Sequence, residues 1–326
     1  MTRELLQLRV SAYRAEARDV ISIELRDPQG AALPGFSPGS HVEIRLPPQR
    51  GQQHGLIRHY SLCNSVSEND RYVVAVGRAV ASRGGSQLIH DTIRVGSVLS
   101  VSPPRNNFEL IVDAGHYRFI AGGIGITPIL CMLRWCESHG KSWSLLYCAR
   151  SRLHAAFYEE LRTYGDRVRF HFDDESGGRW VDLDAALAAS LPGEHVYCCG
   201  PAPLMHAVEK ATAGGPTGSV HFEWFTARLS DESAASANDA FEIVLRRRRL
   251  RLGVAAGRSI LDTLEENGVS VPFSCREGLC RTCETTLCAG EADHRDCVLS
   301  DAERQGQKSI MVCVSRARSA VLELDL

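Results

Sequence analysis

The sequence predicts a multidomain chain in three parts: an antiparallel β-barrel, an α/β unit on a parallel sheet, and a small α+β unit. Two observations support this. Apolar residues repeat at period two up to about residue 108, then fall into strand–helix alternation from about 109 to 228. A stretch rich in Ser, Ala and Asp next ends all periodicity before a final region that concentrates cysteine. The expected parts are 1–108, 109–228, a linker at 229–240, and 241–326. A chain of 326 residues, 44% apolar and 23% charged, suits several cores rather than one.

In the first part LLQLRVSAYR, VISIELR, HVEIRL and RYVVAVG alternate as strands do, with turn clusters DPQG, PGFSPGS and PPQRGQQHG between them. Short strands at this spacing indicate a barrel or sandwich. Arg58, Tyr60 and Ser61 form R-x-Y-S on one strand, and Arg83, Gly84, Gly85 and Ser86 open the helical stretch SQLIHDTI. A flavin needs an arginine and backbone N–H groups at a helix start for its phosphate. Its ring needs a flat surface, and its hydride-accepting N5 a small hydroxyl nearby. Arg58, the Gly turn, Tyr60 and Ser61 offer these in turn. Alone, an arginine and a tyrosine on a strand are as readily a solvated charge and a half-buried ring.

The second part opens with YRFIAGGIGITPILCMLRWCESHG, a strand, a Gly turn and a helix. WSLLYCARS is a strand, AAFYEELRTYG a helix, VRFHFDDE a strand, LDAALAASL a helix, HVYCCGP a strand and PLMHAVEKA a helix. Gly122, Gly123 and Gly125 stand where backbone must approach a pyrophosphate, although the G-x-G-x-x-G pattern is incomplete. Cys199, Gly200 and Pro201 end another strand at the same side of the expected sheet, the side where ligands of open parallel sheets bind. Both are alternatively simple tight turns. Asp173 and Asp174 end a strand, where an acid bonds a ribose hydroxyl and repels a 2′-phosphate, favouring NADH. Arg150 and Arg152 at the neighbouring strand end pull the other way.

In the third part FEIVLRRRRLRL is a strand pair and SILDTLEENG a helix. Cys275, Cys280 and Cys283 then give C-x4-C-x2-C, and Cys313 follows in SIMVCVS. This is the plant-type [2Fe–2S] spacing, in which two irons each take two thiolates. A zinc site would pair two C-x2-C knuckles, and here there is one. The other eight of the 12 cysteines sit in apolar or mixed surroundings, and most of them are expected as small buried hydrophobes. Arg246 to Arg249 and Arg251 form a basic run, either a solvated hairpin face or a docking patch. A net charge of −2 gives no basis for a nucleic-acid partner. The N-terminus lacks a signal-peptide pattern and no run spans a membrane, so a cytoplasmic location is expected, and nothing in the sequence demands more than a monomer.

Taken together, RHYSLCN, ASRGGSQ, AGGIGITPIL, YCARS, CCGP, HFEWF and SCREGLCRTC resemble the phthalate dioxygenase reductase family, which includes vanillate demethylase reductases. The resemblance covers nearly the whole chain. It implies an FMN-binding barrel, an NAD-binding domain and a β-grasp-like ferredoxin. It maps FMN contacts to Arg58, His59, Tyr60, Ser61, Ala75, Val76, Arg83, Gly84, Gly85, Ser86 and Thr127, with Phe225 as an aromatic over the flavin ring. The implied function is a reductase passing electrons from NADH through FMN and a [2Fe–2S] cluster to a Rieske-type terminal oxygenase acting on an aromatic acid such as phthalate or vanillate. Ser61 and Thr127 would line the hydride-transfer site. Cys199 would lie against the nicotinamide, or serve packing alone. Alternatives are the same chemistry serving a non-Rieske acceptor, and a redox sensor without sustained turnover. Two residues depart from the family: Arg281 stands where glycine is common in the cluster loop, and Trp224 replaces a smaller residue beside Phe225.

Overall fold

The computed structural model describes residues 4–48, 55–78, 84–189, 191–216, 218–226 and 239–326. Arg83 and most of the expected linker lie outside the described residues. The chain forms two compact units, one ending at Glu223 and one beginning at Trp224.

The first unit contains two sheets. One has seven strands: β1 (Leu6–Ala17), β2 (Val20–Arg26), β3 (Ser40–Leu46), β4 (Leu56–Ser61), β5 (Tyr72–Gly77), β6 (Val98–Val101) and β7 (Arg105–Asn106). Their order is β4-β3-β6-β1-β2-β5, with β7 paired to β3, and every pairing is antiparallel. The two outer strands β4 and β5 meet through one bridge, Leu62 to Val74. Helix α1 (Gly85–Thr92) follows β5. Val10, Ile23, Leu25, Val42, Ile44 and Val74 fill the space inside this sheet, all fully buried.

The other sheet is parallel throughout: β8 (His116–Gly122), β9 (Trp143–Ala149), β10 (Val168–Phe172), β11 (Glu194–Cys199) and β12 (Val220–Glu223), in the order β10-β9-β8-β11-β12. Helix α2 (Ile126–Ser138) is buried along Ile126–Leu133 because every side chain there is apolar or small. Pro128 in its first turn costs no helical hydrogen bond. Helices α3 (Tyr158–Leu161), α4 (Leu183–Leu187) and α5 (Ala202–Ala211) complete the crossovers.

AAFYEELRTYG is α-helical only over α3, not along its full length. Phe157 has φ 59°, and Gly165 breaks the following 3-10 segment with φ 61° and ψ −135°. The Phe157 ring is 9% exposed, and its burial holds the left-handed turn that delays the helix. Helix α4 likewise stops at Leu187, after an Asp182 cap on the Ala185 N–H at 2.9 Å. One apolar cluster runs from Val20, Cys63 and Ala75 of the first sheet into Phe119, Ile126, Leu130 and Tyr147 of the second. That shared core accounts for both sheets belonging to one unit.

The second unit is a mixed sheet, ordered β14-β13-β19-β15-β17, from β13 (Phe241–Leu245), β14 (Leu250–Val254), β15 (Glu284–Ala289), β17 (Ser309–Met311) and β19 (Val321–Leu324). β13 and β19 are parallel and the other pairs antiparallel. A small ribbon pairs β16 (Ala292–Asp293) with β18 (Arg316–Ala317). Helix α6 (Ile260–Glu266) buries Ile260, Leu261 and Leu264 in the unit's core, and α7 (Asp301–Gly306) starts with a Ser300–Glu303 capping box. In the basic run, Arg246, Arg247 and Arg251 pair with Glu323, Asp325 and Glu242, the first at 3.7 Å and the second at 2.5 Å. These pairs favour the solvated hairpin face. Among the described residues no helix is long and apolar enough to cross a membrane.

Candidate functional site

In the parallel sheet the chain runs outward from β8 to β9 and β10, then returns to β11 on the other side of β8. The reversal opens a crevice at the strand C-termini, the usual ligand position in such sheets. Both glycine turns meet there. A Cβ on Gly122 would fall 2.5 Å from Pro201 Cδ, and one on Gly200 would fall 3.0 Å from Gly122 Cα. A Cβ on Gly125 would collide with the Cys199 carbonyl. The glycines thus let two loops touch backbone to backbone. Gly123 takes φ 54°, and the turn Gly123–Gly125 leads directly into α2. Thr127, 2% exposed, donates its hydroxyl to the Ile124 carbonyl at 3.0 Å.

Ser61, at the end of β4, reaches this crevice from the antiparallel sheet. Its hydroxyl donates to Glu223 Oε2 at 3.3 Å. Glu223 ends β12, opposite Cys199 in the strand register. Burial pushes the Glu223 carboxyl up to about 8, against the Ser61 hydrogen bond, which favours the charged form. Burial also pushes the Cys199 thiol well up, with the Glu223 charge adding to the effect. Cys199 is 0% exposed. Glu223 escaped the sequence reading. An acid in the short strand HFEWF looks solvated, and its partner lies 162 positions away.

Arg58, His59, Tyr60 and Ser61 are consecutive on β4, and Ala75 and Val76 are buried on β5. The Arg58 side chain lies against Gly85, where a Cβ would strike its guanidinium stem. Gly84 starts α1 with φ 88°, a conformation suited to glycine, and Ser86 follows in the first turn. An arginine, a glycine cradle and a helix start therefore coincide, which fits a phosphate group. A Cβ on Gly77 of β5 would fall 3.6 Å from the Ile124 side chain, so β5 runs close to the turn Gly123–Gly125. Arg150 is exposed beyond β9 and Asp173 beyond β10, with the Asp173 and Asp174 N–H groups bonded to the Ala149 and Arg150 carbonyls at 3.1 Å. Arg152 pairs with Glu175 at 3.3 Å. Phe225, 37% exposed, and Trp224, 8% exposed, belong to the second unit.

In the second unit Cys275 lies within hydrogen-bonding reach of Cys280 and Cys313, and Cys283 within reach of Cys313. These contacts draw Cys275 and Cys283 toward thiolate and push Cys280 and Cys313 up. The Glu277 and Leu279 N–H groups donate to Cys275 Sγ at 3.3 and 3.4 Å. Four gathered thiols with backbone donors on a ligand sulfur fit a two-iron centre. Among the described residues no three His, Cys, Asp or Glu side chains gather as for a single metal ion. Of the other cysteines, Cys63, Cys131, Cys136, Cys198 and Cys199 are buried, while Cys148, Cys288 and Cys297 are partly exposed. Arg281 holds φ 56°, the conformation expected of the glycine it replaces, and its guanidinium reaches Glu284 at 3.0 Å and Glu303 at 2.6 Å.

Residues 119–210 match the oxidoreductase NAD-binding domain, and residues 244–318 match the 2Fe-2S iron-sulfur cluster binding domain. The chain is 44% identical to the phenoxybenzoate dioxygenase subunit beta of Ectopseudomonas oleovorans, over 98% of this chain and 97% of that one. It is 42% identical to a solved phthalate dioxygenase reductase, described as a modular structure for electron transfer from pyridine nucleotides to [2Fe-2S], over 99% and 98% of the two chains, with a TM-score of 0.72. An intact type IV self-sufficient cytochrome P450 monooxygenase matches at 36% identity and a TM-score of 0.88, over 99% of this chain and 41% of that one. The chain belongs to the phthalate dioxygenase reductase family.

Proposed function

We propose that this protein is the NADH-dependent reductase of an aromatic oxygenase system, carrying electrons through FMN and a [2Fe–2S] cluster to a Rieske-type terminal oxygenase of phthalate or vanillate type. The contact of Ser61 with Glu223 carries the reading, because it brings the flavin-side strand β4 to the crevice where the nucleotide turns meet. FMN, when bound, accepts a hydride and releases electrons singly to the cluster, a conversion that neither NADH nor the cluster performs alone. In this reading the seven-stranded sheet is the flavin barrel and the C-terminal mixed sheet a β-grasp ferredoxin.

The residues divide the work. Arg58 with Gly84, Gly85 and Ser86 holds the FMN phosphate, joined by Arg83. His59, Tyr60, Ala75 and Val76 line the flavin. Gly122, Gly123, Gly125, Gly200 and Pro201 admit the dinucleotide close to backbone. Ser61 presents a hydroxyl at the reacting end, and Thr127 lines it from α2. Cys199 packs beneath the same turn. Glu223, held uncharged by burial at neutral pH, keeps an anion away from the place where negative charge arrives with the hydride. Asp173 takes a ribose hydroxyl. Arg152 is engaged by Glu175, which weakens its pull on a 2′-phosphate and supports NADH as donor. Cys275, Cys280, Cys283 and Cys313 hold the cluster. A monomer in the cytoplasm, beside the NADH pool, is the working form.

Anaerobic titration with NADH, followed by absorbance and electron paramagnetic resonance, tests the reading. Flavin bleaching with a rhombic reduced-cluster signal is expected. Bound flavin and cluster that NADH leaves oxidised would instead indicate a sensor. The likeness to the P450 monooxygenase favours a second acceptor class, haem. Electron delivery to a Rieske oxygenase or to a P450 haem domain, measured side by side, separates them.

A further inference from the structure

Gly278 sits between the two residues whose N–H groups point at Cys275 Sγ. Its φ is 71°, and a Cβ there would fall 2.7 Å from Val314 Cγ2 and 2.9 Å from Asp296 Cα. The turn is therefore pressed directly onto Asp296. It is also tied to it, because the Cys297 N–H donates to the Gly278 carbonyl at 3.0 Å.

Asp296 is 1% exposed. Its Oδ2 accepts the N–H groups of Val298 at 3.1 Å and Leu299 at 2.8 Å. Arg304 donates to the Asp296 carbonyl at 2.6 Å and the Leu299 carbonyl at 3.0 Å, and its guanidinium stands 3.8 Å from Oδ2. The whole bend 296–299 is thus fixed by one carboxylate and one guanidinium. Oδ1, in contrast, has no hydrogen-bond partner among the described residues. His294 Nδ1 faces it at 3.8 Å, beyond hydrogen-bond range, on a side chain 5% exposed whose two ring nitrogens are also unpartnered. Buried polar atoms left in this state burden the fold, and an apolar pair would remove the burden. An apolar pair could not hold the bend against Gly278.

On the reading that Cys275, Cys280, Cys283 and Cys313 carry the cluster, we propose that Asp296, with His294 facing it, is a positioning residue for that cluster. It keeps the turn at Gly278 in place so that the Glu277 and Leu279 N–H groups stay aimed at Cys275 sulfur, and so it raises the reduction potential. Donors to a ligand sulfur favour the more negative, reduced state. Loosening the turn lowers the potential. Removing a buried negative charge without moving the turn raises it. The two effects have opposite signs, and two variants separate them.

Asp296→Asn removes the charge but keeps an oxygen for Val298 and Leu299, whereas Asp296→Ala removes both. The full-length holoprotein of each is analysed for iron, then titrated anaerobically with its cluster signal followed by electron paramagnetic resonance. Asp296→Ala is expected at a lower potential than Asp296→Asn, with altered g-values. Equal potentials for the two variants, or a higher one for Asp296→Ala, overturn the proposal. Should Asp296→Ala retain no iron, Asp296→Ser takes its place with the same two outcomes. Wild-type protein without a cluster signal overturns the cluster reading itself, and the proposal with it.

Discussion

Ser61 Oγ and Glu223 Oε2 lie 3.3 Å apart, joining the end of a strand in the antiparallel sheet to the end of an edge strand in the parallel one. Glu223 holds its proton up to about pH 8 because it is buried. Beyond that pH, in the hydride-transfer site proposed above, an anion would stand where negative charge arrives. The rate of flavin reduction by NADH is therefore expected to fall as pH rises through about 8, and Glu223→Gln to flatten that limb. The Ser61 hydrogen bond favours the charged form, so Ser61→Ala should move the limb to higher pH and slow reduction by about 10–100-fold. Stopped-flow absorbance across pH checks all three.

The same carboxyl makes a stability prediction. Its folded value lies above the ordinary 4.5, so the folded chain keeps a proton that the unfolded chain has released. The resulting stabilisation is complete below about 4.5 and is lost as pH rises through about 8. Denaturant midpoints of wild type and Glu223→Gln should diverge over this window, with the wild type declining more steeply.

Gly125→Ala places a methyl group against the Cys199 carbonyl, a backbone atom that cannot rotate away. The turn must shift, at a cost of about 1–3 kcal/mol. NADH binding should weaken at least about tenfold while the cluster signal stays unchanged, as read by titration of the oxidised protein with a non-reducible NADH analogue.

Arg58→Ala removes the side chain lying on Gly85. Loss of a charge-assisted phosphate contact of about 1.5–3 kcal/mol predicts FMN binding weaker by about 10–100-fold. Flavin fluorescence released on dilution measures this, with iron content as the control.

Arg281→Gly and Arg281→Ala should differ. Both lose the contacts to Glu284 and Glu303, partly exposed pairs each worth under about 1 kcal/mol. Glycine alone relieves the left-handed φ of 56°, a gain of about 1 kcal/mol. Arg281→Gly is expected close to wild type in melting temperature, and Arg281→Ala lower by several degrees.

The glycine turns and the cysteine spacing were legible in the sequence because each satisfies a local demand: close backbone approach, or ligands in one short loop. Glu223 was not, since its meaning comes from Ser61 far along the chain. Nor was the break at Phe157, where tertiary burial of one ring overrides the helical pattern of the residues after it. Arg281 shows a third limit. The sequence marked it as a misfit, but only the ion pairs to Glu284 and Glu303 explain how the misfit is held. Asp296 likewise looked like an ordinary loop acid until the fold set it against Gly278.

The mixed sheet of the second unit has β19, residues 321–324, as its middle strand. A ribosome delivers that strand after all four cluster cysteines, so the thiols are in hand before the sheet that frames them can close. Early β13 waits for a partner roughly eighty residues later, a long loop that slows closure. The sheet that frames the four cysteines therefore stays open until Val321–Leu324 joins β13 to β15, and until then their thiols have no finished site around them.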